Sequence, residues 1–301
     1  MPDRKFKPGA VFLAGALLVL TGVVAYEFIE LNRKSPWPSL PNPNGNDDFV
    51  KAQTLLVGNP ADFKRGSSEA LRRRLEENAA ALKLVRAGLA KQCRVPVSFS
   101  TNYLALRSLG EVKKMARLLE AEGALAELEG CTNDAARIYL ETIRYGEESC
   151  RGGVMMDRLV GIACRAIGVT ALQKIAGALD AGICRDSCKQ LQEIERRQEA
   201  VTDVLRTESE WARRTFSLWQ RVPAMIPFAS LSARAQKDFV RKCHQSDAQL
   251  KRLIVDLAAR AYELDRGQPA KNLAALVPDY LDALPLDPVT GTAMTYPEKR
   301  N

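Results

Sequence analysis

The chain has 301 residues, with 44 Lys and Arg against 36 Asp and Glu for a net charge of +8, and it is 46% apolar, 27% charged and 6% aromatic. These proportions exclude a disordered or collagen-like chain and leave room for one large or two ordinary domains with a real core. Basic residues dispersed among acids, with few aromatics and no recognition motif, argue against nucleic acid as a partner.

Residues 8–26, PGAVFLAGALLVLTGVVAY, come first: nineteen residues without a charge, preceded by Arg4, Lys5 and Lys7. At about 1.5 Å per residue such a helix crosses roughly the 30 Å hydrocarbon core of a bilayer. Residues 1–34 therefore read as a cytoplasmic stub and a transmembrane anchor. Cleavage after Val23-Val24-Ala25, as in a signal peptide, is the second reading. The positive flank favours an inside N-terminus, which predicts a single-pass inner-membrane protein with the bulk of the chain extracytoplasmic.

Residues 35–48, with four prolines, read as a semi-rigid linker, and residues 49–268 as an α-helical domain that opens with a short helix over 48–58. Ser67 predicts the start of a helix reaching Cys93, with Leu71, Leu75, Ala79, Leu82 and Val85 as its inner stripe. The next runs over 102–129 and ends at Gly130. Thr132 or Asn133 caps a third, carrying Ala136, Tyr139, Leu140 and Ile143. Residues 154–181 form the least polar segment after the anchor. Asp157, Arg158, Arg165 and Lys174 make it a poor second span, so it reads as the buried centre of the domain. Gly161, Ala163, Cys164 and Gly168 would let neighbouring helices come close. Amphipathic helices follow over 185–198 and 202–221, then an apolar bend at 222–228 and a long helix over 229–266.

The run ELEGCTNDAARIYLETIRYG (127–146) resembles the second half of a tetratricopeptide-type helical pair, with Ala135, Ala136 and Tyr139 at its packing positions. The resemblance implies an all-α fold of stacked antiparallel helices, irregular and repeat-like, followed by a short extended tail.

Residues 269–301 form that tail. Its text, LAALVPDYL followed by LPLDPVTGTAMTY, resembles the C-terminal segment of type II secretion pseudopilins, which folds back on a helix. Residues 8–30 lack the prepilin peptidase site of that family, and the body is longer and more helical. The combination also resembles uncharacterised bacterial envelope proteins with one anchor. Some pseudopilins bind calcium through acidic loop residues, and the resemblance puts Asp282 and Asp287 nearest to such positions. Leu273, Leu276, Leu281, Leu284 and Tyr296 supply apolar anchors for a clasp on the last long helix.

Seven cysteines leave at least one unpaired within the chain. If successive helices run up and down, Cys93 and Cys150 share one end and Cys131 shares the other with Cys184 or Cys188. Those are the candidate disulfides, and buried or free thiols are the alternative. Cys184-x3-Cys188 and Cys243-His244 lack the paired motifs of a zinc site. Trp211, Phe216, Trp219 and Phe228 form either a candidate interaction groove or an aromatic core. No catalytic, cofactor or metal residues are expected, and the sequence specifies no small-molecule ligand. The resulting expectation is a membrane-anchored scaffold presenting a surface to an envelope protein, in a secretion or pilus-like assembly. An enzyme with an unrecognised site in the helical domain and a basic adaptor for acidic envelope polymers are the alternatives.

Overall fold

A computed structural model describes residues 21–22, 25, 36–58, 67–103, 108–216 and 228–294. The anchor expected over 8–26 lies almost wholly outside the described residues. Within them the fold is all-α: α1 (Gly45–Thr54), α2 (Ser68–Glu77), α3 (Ala79–Leu89), α4 (Leu109–Leu128), α5 (Thr132–Glu148), α6 (Met155–Ile175), α7 (Ala181–Arg196), α8 (Val201–Thr215) and α9 (Phe228–Arg266).

Helices α5 and α6 occupy the centre and serve two cores. Toward one flank, Tyr145 of α5 and Cys164 and Ile167 of α6 pack with α1 to α4. Toward the other, Tyr139, Ile143, Val169 and Leu172 pack with α7, α9 and the tail. Burial on both sides explains why α6 is so apolar. It is long and apolar enough to cross a membrane by length and composition, but 56% of its most apolar window is buried in the fold. Its charged residues Arg158 and Arg165 are ion-paired inside the protein, so the segment is the core helix that its charges predict.

The α5–α6 pair is antiparallel and glycine-seamed. A Cβ on Gly161 would meet the Gly146 carbonyl oxygen at 2.6 Å, and one on Gly168 would meet that of Tyr139 at 2.7 Å. Only hydrogen at these positions lets the two backbones approach so closely. Ala163, grouped with them on sequence, is only partly buried. Tyr139 lies over Gly123 of α4, where a Cβ would come within 2.3 Å of its ring. Gly130, with φ of +78°, ends α4 as expected.

Several boundaries differ from those predicted. The helix read over 67–93 is two helices, broken at Asn78. Its side chain accepts from the Val57 N–H at 2.9 Å and donates to the Arg74 carbonyl at 2.9 Å, so it is spent outside a continuous helix. Ser67 does cap α2, accepting from the Ala70 N–H at 3.3 Å. Leu128, the last residue of α4, is 61% exposed. Cys131 rather than Thr132 or Asn133 precedes the first turn of α5. Asp180 caps α7 by accepting from the Ile183 N–H at 2.8 Å, so that helix starts at Ala181.

The proline-rich stretch read as a linker over 35–48 is not a free spacer over its described part. Trp37 packs edge-on to Phe99, with ring centroids 4.9 Å apart, and the Arg214 guanidinium lies over both rings. Asn44 is buried and bonds to both the N–H and the carbonyl of Arg94, at 3.0 and 2.8 Å. It also caps α1, which begins inside the expected linker.

Residues 270–294 clasp α7 and α9. Ala270, Leu273, Leu276 and Leu281 are buried in the core those helices share. Tyr280 stacks near Tyr262 at 5.5 Å and donates to Asp265 at 2.8 Å. Leu273–Leu276 form a 3-10 turn. Leu286 and Ala293 make a single antiparallel bridge. Leu284 is exposed rather than an anchor, and Tyr296 lies outside the described residues.

Candidate functional site

A polar concavity lies between α5 and the end of α7, closed at one end by the turn after α3 and by residues 39–41. It has two adjoining compartments. The first, of about 420 Å³, is walled by Arg137, Glu141, Arg144 and Glu148 of α5 and by Glu193 and Arg197 at the end of α7. The second, of about 620 Å³, adds Ser39, Pro41, Lys91 and Arg94. Arg144, Glu148, Arg151 and Arg197 line both. Helical spacing produces this: Arg137, Arg144 and Arg151 recur every seven residues, two turns, and so share one face.

Most of these charges are already paired. Glu148 takes Arg151 in a two-pronged contact at 2.9 Å on each oxygen. Arg86 reaches Glu141 at 2.9 Å and Glu122 at 2.7 Å. Glu193 holds Arg196 at 2.6 Å and also pairs with Arg197, and Lys91 meets Asp48 at 2.5 Å. Arg144 donates to the Leu89 carbonyl at 2.5 Å, closing the end of α3.

Beneath the first compartment is a buried ion network. Glu147, 3% exposed, takes Arg158 on one oxygen at 2.5 Å and Arg165 on the other at 2.7 Å. Arg165, fully buried, also reaches Asp247 of α9 at 2.8 Å and donates to the Ser246 hydroxyl. Gln198 adds a hydrogen bond to Asp247 at 2.6 Å. Burial raises the Glu147 pKa, but the two arginines outweigh it and leave the carboxyl below its ordinary value. The sequence did carry a signal for this site: Arg158 and Arg165 stand seven apart on the least polar helix of the body. They were read there only as an obstacle to membrane insertion.

The candidate cysteines are thiols in the structure, and the candidate pairs are not joined. Cys93 sits beside the Gly88 carbonyl at 3.5 Å, and Cys150 beside those of Gly146 and Glu147, each at 3.3 Å. Cys184 and Cys188 lie in the core shared by α7 and α9, Cys131 is exposed, and Cys243 belongs to a separate cluster with Val204 and Phe239. Burial pushes the thiol pKa of Cys93, Cys164 and Cys188 up to about 12 and that of Cys150 and Cys184 up to about 11. Thiols so placed are poor nucleophiles.

Trp211 is buried, donates to the Ser98 carbonyl at 2.9 Å and packs against Tyr103 and Phe216. These two members of the candidate groove therefore belong to a small aromatic core that also receives Trp37. Trp219 and the Phe228 side chain lie outside the described residues. Asp282 is ion-paired with Arg196. Asp287 accepts the N–H groups of Val289 at 2.8 Å and Thr290 at 3.0 Å, and these bonds hold its carboxyl below the usual range. Both aspartates named by the calcium resemblance are thus spent on holding the tail.

Beside that tail runs a second groove of about 430 Å³, walled by Gln192, Lys251, Ile254, Leu281, Pro285 and Leu286. Leu284 and Leu286 on it are 45% and 50% exposed, and Val289, 65% exposed, follows three residues on in the same loop. No protein-family model, curated protein or solved structure matches the chain.

Proposed function

We propose that this protein is a membrane-tethered, exported helical scaffold that meets an envelope protein through the groove beside its clasped tail. The observation that carries the reading is the exposed apolar loop of Leu284 and Leu286 on the groove and Val289 just beyond it. Exposed leucines and a valine on one pinned loop are costly in water and are relieved by a partner. The loop is held in shape without that partner: Asp287 ties its turn, and Lys251 donates to the Leu286 carbonyl at 2.9 Å.

The stacked, repeat-like character has support in the packing. α4 contacts both α5 and α6, and α5 contacts both α6 and α7, the two-apart pairing of tetratricopeptide-type stacks. Tyr139 over Gly123 is the aromatic-in-hole contact that the resemblance implies. The tether and the export rest on the uncharged run 8–26 and its basic flank.

The test has two parts. A reporter fused after Asn301 should be active outside the cytosol; activity confined to the cytosol overturns the tether and its orientation. A photo-crosslinking residue at Val289 should capture one discrete partner in intact membranes, while the same residue at the exposed Thr170 of α6 should not. Equal capture at both positions overturns the groove.

A further inference from the structure

The polar cleft between α5 and α7 has a different chemistry from the tail groove and does not depend on the tether. Its larger compartment is lined by five cations, Lys91, Arg94, Arg144, Arg151 and Arg197, and by one carboxylate, Glu148. Glu148 is fully engaged by Arg151. Lys91 and Arg197 have their own acids, Asp48 and Glu193. Arg94 and Arg144 have no carboxylate partner among the described residues, and Arg144 spends one donor on the Leu89 carbonyl.

Arg94 is held in place from two sides. Asn44, itself buried, clamps its backbone through both the N–H and the carbonyl. Its side chain lies across Gly152, whose φ is +73° and where a Cβ would come within 2.8 Å of the arginine Cγ. The backbone beneath is tied as well: the Val95 N–H reaches the Arg151 carbonyl at 2.9 Å, and Arg151 donates to the Arg197 carbonyl at 2.7 Å. Two arginines with spare donors are thus presented on a fixed frame, in a cleft whose volume of about 620 Å³ suits a small molecule or a headgroup.

We propose that this cleft binds a phosphate-bearing ligand, with Arg94 and Arg144 as its principal contacts. Arginine forks match phosphate oxygens in pairs. A phosphate monoester carries about −1.5 to −2 at neutral pH and so neutralises both unpaired guanidinium groups, whereas a single carboxylate neutralises one. A soluble phosphate monoester and a lipid headgroup ending in a phosphate monoester share this chemistry.

Calorimetric titration of the full chain in a neutral detergent with inorganic pyrophosphate tests the proposal. Saturable binding is expected, weakened at least tenfold by Arg94→Gln and by Arg144→Gln and by raising the salt. Arg241→Gln, an exposed arginine paired with Asp238 on α9, should leave binding unchanged. Thermal melts establish that each variant folds, and the wild-type titration stands even if one does not. Phosphatidic acid, whose headgroup is a phosphate monoester, added to the micelles separates the sources: displacement of pyrophosphate assigns the cleft to a headgroup, and undisturbed binding assigns it to a soluble compound. No saturable binding by the wild-type chain, or equal weakening by Arg241→Gln, overturns the proposal.

Discussion

The Glu147 carboxylate and the Arg165 guanidinium meet at 2.7 Å with 3% and 0% of their side chains exposed, so the core encloses a charge pair. The pair joins α5 to α6, and Arg165 continues to Asp247 on α9. One arginine thus ties α9 to the α5–α6 pair. Leaving a buried charge unpaired costs more than the pair contributes. Glu147→Gln and Arg165→Met should each destabilise the fold by about 3–5 kcal/mol. Urea unfolding followed by circular dichroism measures this; a loss below about 1 kcal/mol for both would mean the network is solvated rather than structural.

The same pair gives the protein an acid limit. An unfolded glutamate titrates near 4.3, and the folded Glu147 carboxyl lies below its ordinary value. Its contribution is therefore complete above the unfolded value and is lost as pH falls through the folded one. Stability should begin to decline as pH falls toward the unfolded value and go on declining through the lower folded one. Glu147→Gln should flatten that decline while lowering the plateau. A wild-type profile that stays level to pH 3 would show that Glu147 does not govern it.

Glycines on the α5–α6 seam should tolerate no side chain. At Gly161 a Cβ would meet the Cys150 sulfur at 2.3 Å and backbone oxygen at 2.6 Å, so the helices themselves must separate. Gly161→Ala should cost about 1–3 kcal/mol. Gly110, with open space around it, is the control, and Ala there should be neutral or slightly stabilising. Melting temperatures of the two variants decide the point, and equal shifts would remove the close approach as a cause.

Helical periodicity made the body legible, because an apolar stripe is a local property of the chain. That α6 is a core helix followed from its charges, and the close approach at Gly161 and Gly168 followed from residue size. Other features depend on partners far away in sequence. Asn78 breaks a helix only because Val57 lies against it, 21 residues earlier. Trp37 is docked only because Phe99 and Arg214 come to meet it. Arginines recur seven apart at 137, 144 and 151, but that spacing alone does not mark a cleft. Which of them lack acids depends on tertiary pairing, and no period records that.

The tail offers a test of clasp against ornament. Leu276 and Leu281 are buried against α7 and α9, and Leu284 is 45% exposed on the same segment. Leu276→Ala and Leu281→Ala should each cost about 2–5 kcal/mol. Leu284→Ala should stay within about 0.5 kcal/mol. Removing residues 270–301 should lower the melting temperature by more than either single change. An unchanged melt after truncation would show that the tail is not part of the folding unit.

Cysteine chemistry separates the two readings of the thiols. Cys131 is exposed, and the other six are buried. Burial holds Cys93 and Cys188 up to about 12 and Cys150 up to about 11, so none of these is appreciably thiolate at pH 8. Iodoacetamide at that pH should modify Cys131 within minutes and the buried six only after denaturation, because alkylation follows the thiolate and its access to solvent. Peptide mapping without reductant completes the experiment. Protein purified from an oxidising compartment should yield unlinked peptides containing Cys93 and Cys150. A linked pair there would require both thiols to leave their present contacts, since Cys93 is seated against Gly88 and Cys150 is turned toward the Gly161 seam.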